Sequence, residues 1–139
     1  DYTVDLSKDV PESILKVSYN HTAKQKDWMT KDYLSYLRVY LPEGFWLQSY
    51  PGVNNPQFGN ELKKKYFGFL VNVPISTEKT FEFHYTLPKG LKNNYDLKIQ
   101  KQAGINDVPV AVHVIHPDGN KKDYNIVLNS DTVISEINN

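Results

Sequence analysis

The 139 residues suit one domain, residues 1–139, long enough for a self-sufficient core: folding at this size buries roughly two thirds of the unfolded chain's surface. Sixteen basic and 16 acidic residues cancel, Arg38 is the sole arginine, and there is no cysteine. Nucleic-acid recognition by a basic field, disulfide frameworks, thiolate metal sites and thiol nucleophiles are therefore excluded as readings.

In chain order, the sequence alternates apolar and polar residues in short runs, the period of half-buried strands. Leu15, Val17 and Tyr19 give the first row, and Leu37, Val39 and Leu41 the next. Phe67, Phe69, Val71 and Val73 form a third, Phe81, Phe83, Tyr85 and Leu87 a fourth, and Tyr95, Leu97 and Ile99 a fifth. Val110, Val112 and Val114, then Tyr124, Ile126 and Leu128, complete the set. Turn chemistry separates them at Pro42-Glu43-Gly44, Pro51-Gly52, Pro88-Lys89-Gly90, Ala103-Gly104 and Pro117-Asp118-Gly119-Asn120. The last marks a hairpin with a loop longer than two residues. The pattern predicts an all-β fold: an antiparallel two-sheet sandwich of immunoglobulin-like build with about nine strands. Single helical turns are expected at most over Lys24–Lys31 and Asn60–Lys65, and Asn138-Asn139 should fray. Two long connections, Lys24–Asp32 and Tyr50–Asn60, are candidates for mobile functional loops.

One ordered set of motifs carries a resemblance. Tyr33-Leu34-Ser35-Tyr36-Leu37-Arg38-Val39-Tyr40-Leu41-Pro42-Glu43-Gly44 is followed by Phe67-Gly68-Phe69, Tyr85-Thr86-Leu87-Pro88 and Tyr95-Asp96-Leu97-Lys98-Ile99-Gln100-Lys101-Gln102-Ala103-Gly104. Over Tyr33 to Val114 this resembles the C-terminal β domain of a family of bacterial envelope proteins of unknown function. In that family an N-terminal membrane segment and a large uncharacterised domain come first. Proline often follows the Gln-Lys-Gln run there, where this chain has Ala103. The resemblance implies an extracytoplasmic setting at the bacterial cell envelope, with the domain tethered through a segment absent from this chain. It carries over no catalytic residue. The start at Asp1 fits a piece of a longer chain, and no apolar run has the length for direct membrane insertion of this fragment.

Chemistry-bearing clusters are sparse. His113 and His116 stand three apart on a strand and so face opposite sides, which speaks against a shared metal. His84 sits on an outward position with no paired ligand near it in sequence. No glycine-flanked serine, no serine–histidine–aspartate context and no phosphate loop is present, and neither a cofactor nor a metal is implied. The candidate ligand-binding surface is aromatic: Trp28, Tyr36, Arg38, Tyr40, Trp46 and Tyr50 lie on or beside the two long loops and the strand joining them. With Leu37, Val39 and Leu41 inward, Tyr36, Arg38 and Tyr40 share the opposite face. Flat rings beside amides suit a glycan or a protein partner at the envelope. Without any ligand, tyrosine favours strands, and an arginine between tyrosines stacks or pairs with a neighbouring carboxylate such as Glu82. The expected function is a non-catalytic accessory or interaction module. The alternatives are a carbohydrate-binding module and an envelope-glycan hydrolase domain. Lysine–asparagine isopeptide cross-linking, found in surface-protein sandwiches, is a further idea; Lys98 and Lys101 sit in ordinary strand patterns that speak against it, and an intact mass without loss of one ammonia would eliminate it.

Overall fold

The computed structural model describes residues 1–137; Asn138 and Asn139, and the fraying expected of them, lie outside the described residues. Eleven strands run in chain order: β1 Tyr2–Asp5, β2 Glu12–Asn20, β3 Tyr33–Leu41, β4 Trp46–Ser49, β5 Gln57–Glu61, β6 Lys64–Val73, β7 Glu78–Thr86, β8 Asn94–Ile99, β9 Val108–Ile115, β10 Lys121–Leu128 and β11 Thr132–Ile137. One short 3-10 turn, Lys89–Leu91, follows Pro88. The fold is all-β, as the alternating rows predict, and two layers of sheet enclose one core.

A six-stranded sheet, in the order β10-β9-β1-β2-β7-β4, forms one layer. Facing it are the three-stranded β3-β6-β5 sheet and the two-stranded ribbon of β8 and β11. Stacked phenylalanines join the first pair of sheets: the Phe67 and Phe83 rings are 5.0 Å apart and those of Phe69 and Phe81 5.1 Å. Burying two such rings against each other removes large apolar areas from water and adds an edge-to-face term of about 1 kcal/mol. All four are inward positions of the predicted rows, and all are buried.

The β8–β11 ribbon is fastened differently. The Tyr2 hydroxyl lies 2.6 Å from that of Tyr95 and 3.0 Å from Ser13 Oγ, a bridge from β1 and β2 to β8. At the other end the Tyr124 hydroxyl of β10 donates to the nearly fully buried Glu136 carboxylate of β11, which also meets Lys122 at 3.2 Å and His116 at 3.5 Å. Burial pushes that carboxyl upward, but Tyr124, Lys122 and His116 together hold it below its ordinary value.

Four expectations are corrected, the first being the strand number, eleven among the described residues where about nine were expected. The pairing is not wholly antiparallel, because β1 runs parallel to β9, with Tyr2 opposite Val112 and Asp5 opposite Ile115. The long stretch of chain between them permits this, since only a tight hairpin demands antiparallel neighbours. Asn60–Lys65 forms no helical turn: Leu62 and Lys63 make a two-residue hairpin turn at φ of 53° and 59° between β5 and β6. Lys24–Lys31 contains bends and no helical turn. Elsewhere the turn residues act as read: Gly44, Gly104 and Gly119 have φ of 88°, 79° and 85°, and β9 and β10 are joined by a loop closed by His116 N donating to Asn120 O at 2.8 Å.

The facing layer is split. Between β3 and β8, which no ladder joins, a cleft of about 1440 Å³ exposes part of the large sheet's inner face, so inward residues such as Val17, Val110 and Ile126 are only partly buried.

Candidate functional site

The outer face of the β3-β6-β5 sheet carries the densest group of exposed aromatic and apolar side chains. Its rows follow from register. Tyr36, Arg38 and Tyr40 of β3 stand opposite Leu70, Gly68 and Tyr66 of β6, and Gly68, Tyr66 and Lys64 stand opposite Gln57, Gly59 and Glu61 of β5. Leu34 extends the first row toward Asn72.

Two glycines shape this surface. A Cβ on Gly68 would lie 2.8 Å from Tyr36 Cε1, and one on Gly59 would lie 2.6 Å from the tip of the Tyr66 ring. Each ring therefore lies across a glycine in the neighbouring strand, close to the backbone. Arg38 sits between them, its guanidinium carbon 5.4 Å from the Tyr36 centroid and 5.0 Å from that of Tyr66. Arg38 Nη1 donates to Glu61 Oε2 at 2.7 Å, and the Tyr40 hydroxyl donates to the same oxygen at 3.0 Å. The Tyr40 ring packs on Tyr66 at 5.7 Å. Arg38 does find a carboxylate, but it is Glu61 and not Glu82. Glu82 lies on β7 in the other layer, bound to His84 at 2.5 Å and Lys16 at 3.2 Å.

Each member of this group is held from at least one side before any ligand arrives. Leu34 and Leu70, each 63% exposed, flank the tyrosines and arginine and have no comparable cover.

The sequence-derived candidates divide. Tyr36, Arg38 and Tyr40 share this face. Trp46 lies on β4 at the edge of the large sheet, opposite Thr86, and Tyr50 is in the turn that follows, its carbonyl accepting from Val53 N. Trp28 projects from the loop between β2 and β3 and is 85% exposed. That loop is braced: Asp27 Oδ1 accepts from Met29 N and Thr30 N, Lys26 pairs with Asp32 at 2.8 Å, and Ser76 Oγ donates to Ala23 O. The main-chain bonds to Asp27 hold its carboxyl below the usual range, and the Lys26 bond does the same for Asp32. The last four residues of the other long connection, 57–60, belong to β5.

Leu34, Glu61, Tyr66, Gly68 and Leu70 escaped the sequence reading as surface residues. For Tyr66, Gly68 and Leu70 a signal was present, since they alternate with the inward row headed by Phe67.

The histidines stand apart, as their spacing requires. His113 Nδ1 is 2.7 Å from Asp123 and Nε2 3.4 Å from Asp1, while His116 turns to Glu136. Among the described residues no three His, Cys, Asp or Glu side chains converge as a metal site. Lys98 pairs with Asp131 at 3.3 Å on the surface, outside the buried setting an isopeptide bond uses. Lys101 donates its main-chain N–H to Asp131 Oδ1 at 3.0 Å. Among the described residues no helix is long and apolar enough to cross a membrane. No protein-family model, curated protein or solved structure matches this chain.

Proposed function

We propose that this chain is a non-catalytic interaction module of a bacterial cell-envelope protein, an immunoglobulin-like sandwich held outside the cytoplasmic membrane by a tether beyond these residues. Its contact surface for a protein partner is the outer face of the β3-β6-β5 sheet. One observation carries the reading: Tyr36, Arg38, Tyr40 and Tyr66 are locked together on a rigid sheet and flanked by the exposed Leu34 and Leu70. Tyrosine and arginine around an apolar centre is the composition of interface hot spots. Rings already fixed by glycine contacts lose little further freedom on association. The envelope setting rests on the motif resemblance over Tyr33 to Val114. Two facing layers, one of them a sheet whose ladder sets β1 beside its distant partner β9, support the immunoglobulin-like build.

A glycan is the second reading, favoured by the Tyr36 and Tyr66 rings laid close to the sheet. The two leucines weigh against it, since aliphatic side chains give a sugar's hydroxyls nothing to bond. Retention assays separate the readings. Immobilised wild-type chain is expected to retain specific proteins from solubilised bacterial envelopes, a Leu34→Lys, Leu70→Lys double variant of unchanged melting temperature to lose them, and purified peptidoglycan sacculi not to bind. Equal retention by both proteins would discard this face as the contact surface. Sacculus binding that vanishes in Tyr36→Ala would transfer the site to the glycan reading.

A further inference from the structure

The loop between β2 and β3 holds two consecutive apolar side chains out in water. Trp28 is 85% exposed and Met29 73%. Scattered apolar residues are normal on a protein surface, whereas two in succession at the tip of a loop form a local patch. The tip is not slack. Asp27 N donates to Thr30 O at 3.1 Å, and Asp27 Oδ1 accepts from Met29 N at 2.8 Å and Thr30 N at 2.6 Å, which closes residues 27–30 into a turn. The base is tied as well. His21 Nε2 lies 2.9 Å from the Lys31 carbonyl oxygen, Ser76 Oγ donates to Ala23 O at 2.7 Å, and Asp32 Oδ1 accepts from Ile75 N at 3.2 Å. A finger held at tip and base presents its apolar pair with little freedom left to lose on contact.

Charge surrounds the tip. The chain is neutral as a whole, but in this loop Lys24, Lys26 and Lys31 outnumber Asp27 and Asp32. Lys26 is paired with Asp32 at 2.8 Å. Lys24 and Lys31 are exposed, and neither meets a carboxylate among the described residues. Asp27, beside the tip, shares its charge with two main-chain amides. Two uncommitted ammonium groups thus bracket an indole and a thioether. Lysine is depleted at protein contacts, but at a bilayer its stem lies along apolar matter while its ammonium reaches phosphate. Tryptophan favours the same depth, with an apolar body and a polar N–H. Two side chains also fall short of the about 800 Å² per partner that a stable protein contact buries.

We propose that the Lys24–Lys31 loop docks this domain on the surface of an anionic phospholipid bilayer. Trp28 and Met29 enter at the level of the headgroups, and Lys24 and Lys31 meet lipid phosphates. Contact of this kind lies in the interface and needs no spanning segment. One such tip binds weakly and reversibly, so it orients a domain already near a membrane and does not anchor it. Because β2 runs into the loop and β3 out of it, the sheets stand upright on the bilayer, with the outer face of β3-β6-β5 turned sideways. The inference stands apart from that face, since pure lipid tests it with no protein partner present.

The test uses the 139-residue chain carrying Trp46→Phe, which leaves Trp28 as its one indole. The probes are vesicles of phosphatidylglycerol with phosphatidylcholine, and of phosphatidylcholine alone. With the anionic vesicles, Trp28 emission is expected to move to shorter wavelength, to be quenched by brominated lipid, and the chain to sediment with them. A Trp28→Ser, Met29→Ser variant of unchanged melting temperature is expected to lose partitioning on the order of tenfold or more. Lys24→Gln, Lys31→Gln should lose about tenfold on anionic vesicles and little on phosphatidylcholine. No emission change and no sedimentation overturns the proposal, as does equal partitioning by the serine variant. Undiminished anionic binding by the glutamine variant overturns the phosphate contact. Envelope proteins retained through Trp28 and Met29 while vesicles stay unbound would hand the loop to a protein partner instead.

Discussion

At the scale of single residues, the outer face depends on the absence of two side chains as much as on the rings present. A methyl group on Gly68 would meet the Tyr36 ring at 2.8 Å and the Leu37 carbonyl oxygen at 2.9 Å. The ring can swing away, but the carbonyl belongs to the β3 backbone and cannot. Gly68→Ala should therefore cost about 1–3 kcal/mol in a urea titration, with the near-ultraviolet signal of the tyrosines altered as Tyr36 leaves its seat. An unchanged near-ultraviolet spectrum would mean that Tyr36 is not seated on Gly68. Side-chain direction was legible at this scale, because parity fixes it: Tyr36, Arg38 and Tyr40 do share a face. Side-chain partners were not legible. The sequence offered Glu82 to Arg38, but β3 pairs with β6, and the carboxylate that reaches across comes from β5. Alternation says which way a residue points and nothing about which strand lies beside it.

At the scale of elements, the seven apolar rows read from the sequence fall on strands, with Leu87 one residue past β7, and all of their residues but Leu128 belong to or pack on the core cluster. The β5–β6 hairpin was hidden by its turn. Two-residue hairpin turns with positive φ at both positions ordinarily carry Asn and Gly, whereas this one uses Leu62 and Lys63. Each bears a steric penalty for a left-handed backbone that glycine avoids. The double substitution Leu62→Asn, Lys63→Gly is expected to stabilise the chain by about 1–2 kcal/mol, read from the shift in urea midpoint at constant slope. A loss of stability would show that the Leu62 side chain, although 79% exposed, contributes more than its strained backbone costs. The parallel contact of β1 was equally invisible, since no local signal announces a partner so distant along the chain.

At the scale of the whole molecule, the second layer is built from two pieces held by unlike forces. Phenylalanine stacking secures the β3-β6-β5 sheet and does not change with pH. The β8–β11 ribbon depends partly on Glu136, whose carboxyl its polar neighbours keep below the ordinary value. A carboxyl depressed in the folded state adds stability that is present above its unfolded value of about 4.3 and disappears as pH falls through its folded value. The melting temperature should thus hold between pH 7 and 5, as a rough window, and fall below about pH 4. Glu136→Gln should lower the neutral-pH melting temperature and flatten the acid slope, because its amide cannot be protonated there. Parallel acid slopes for the two proteins would assign the loss to surface carboxylates such as Asp9 and Asp131, which lysines also hold down. The division of the layer, and the cleft it leaves, could not be read from periodicity: a row that faces inward looks the same whether or not a strand covers it.

The interior place of β1 also bears on how the molecule carries load. Tension applied at Asp1 along the strand would strain the bonds to β2 and β9 together, in shear, so that many must break at once. Tension at the far end of the chain meets β11, a rim strand bonded only to β8, whose bonds can open in succession like a zip. With force applied along β1 and across the β8–β11 ribbon, a pulling experiment is expected to open β11 before β1 leaves the large sheet.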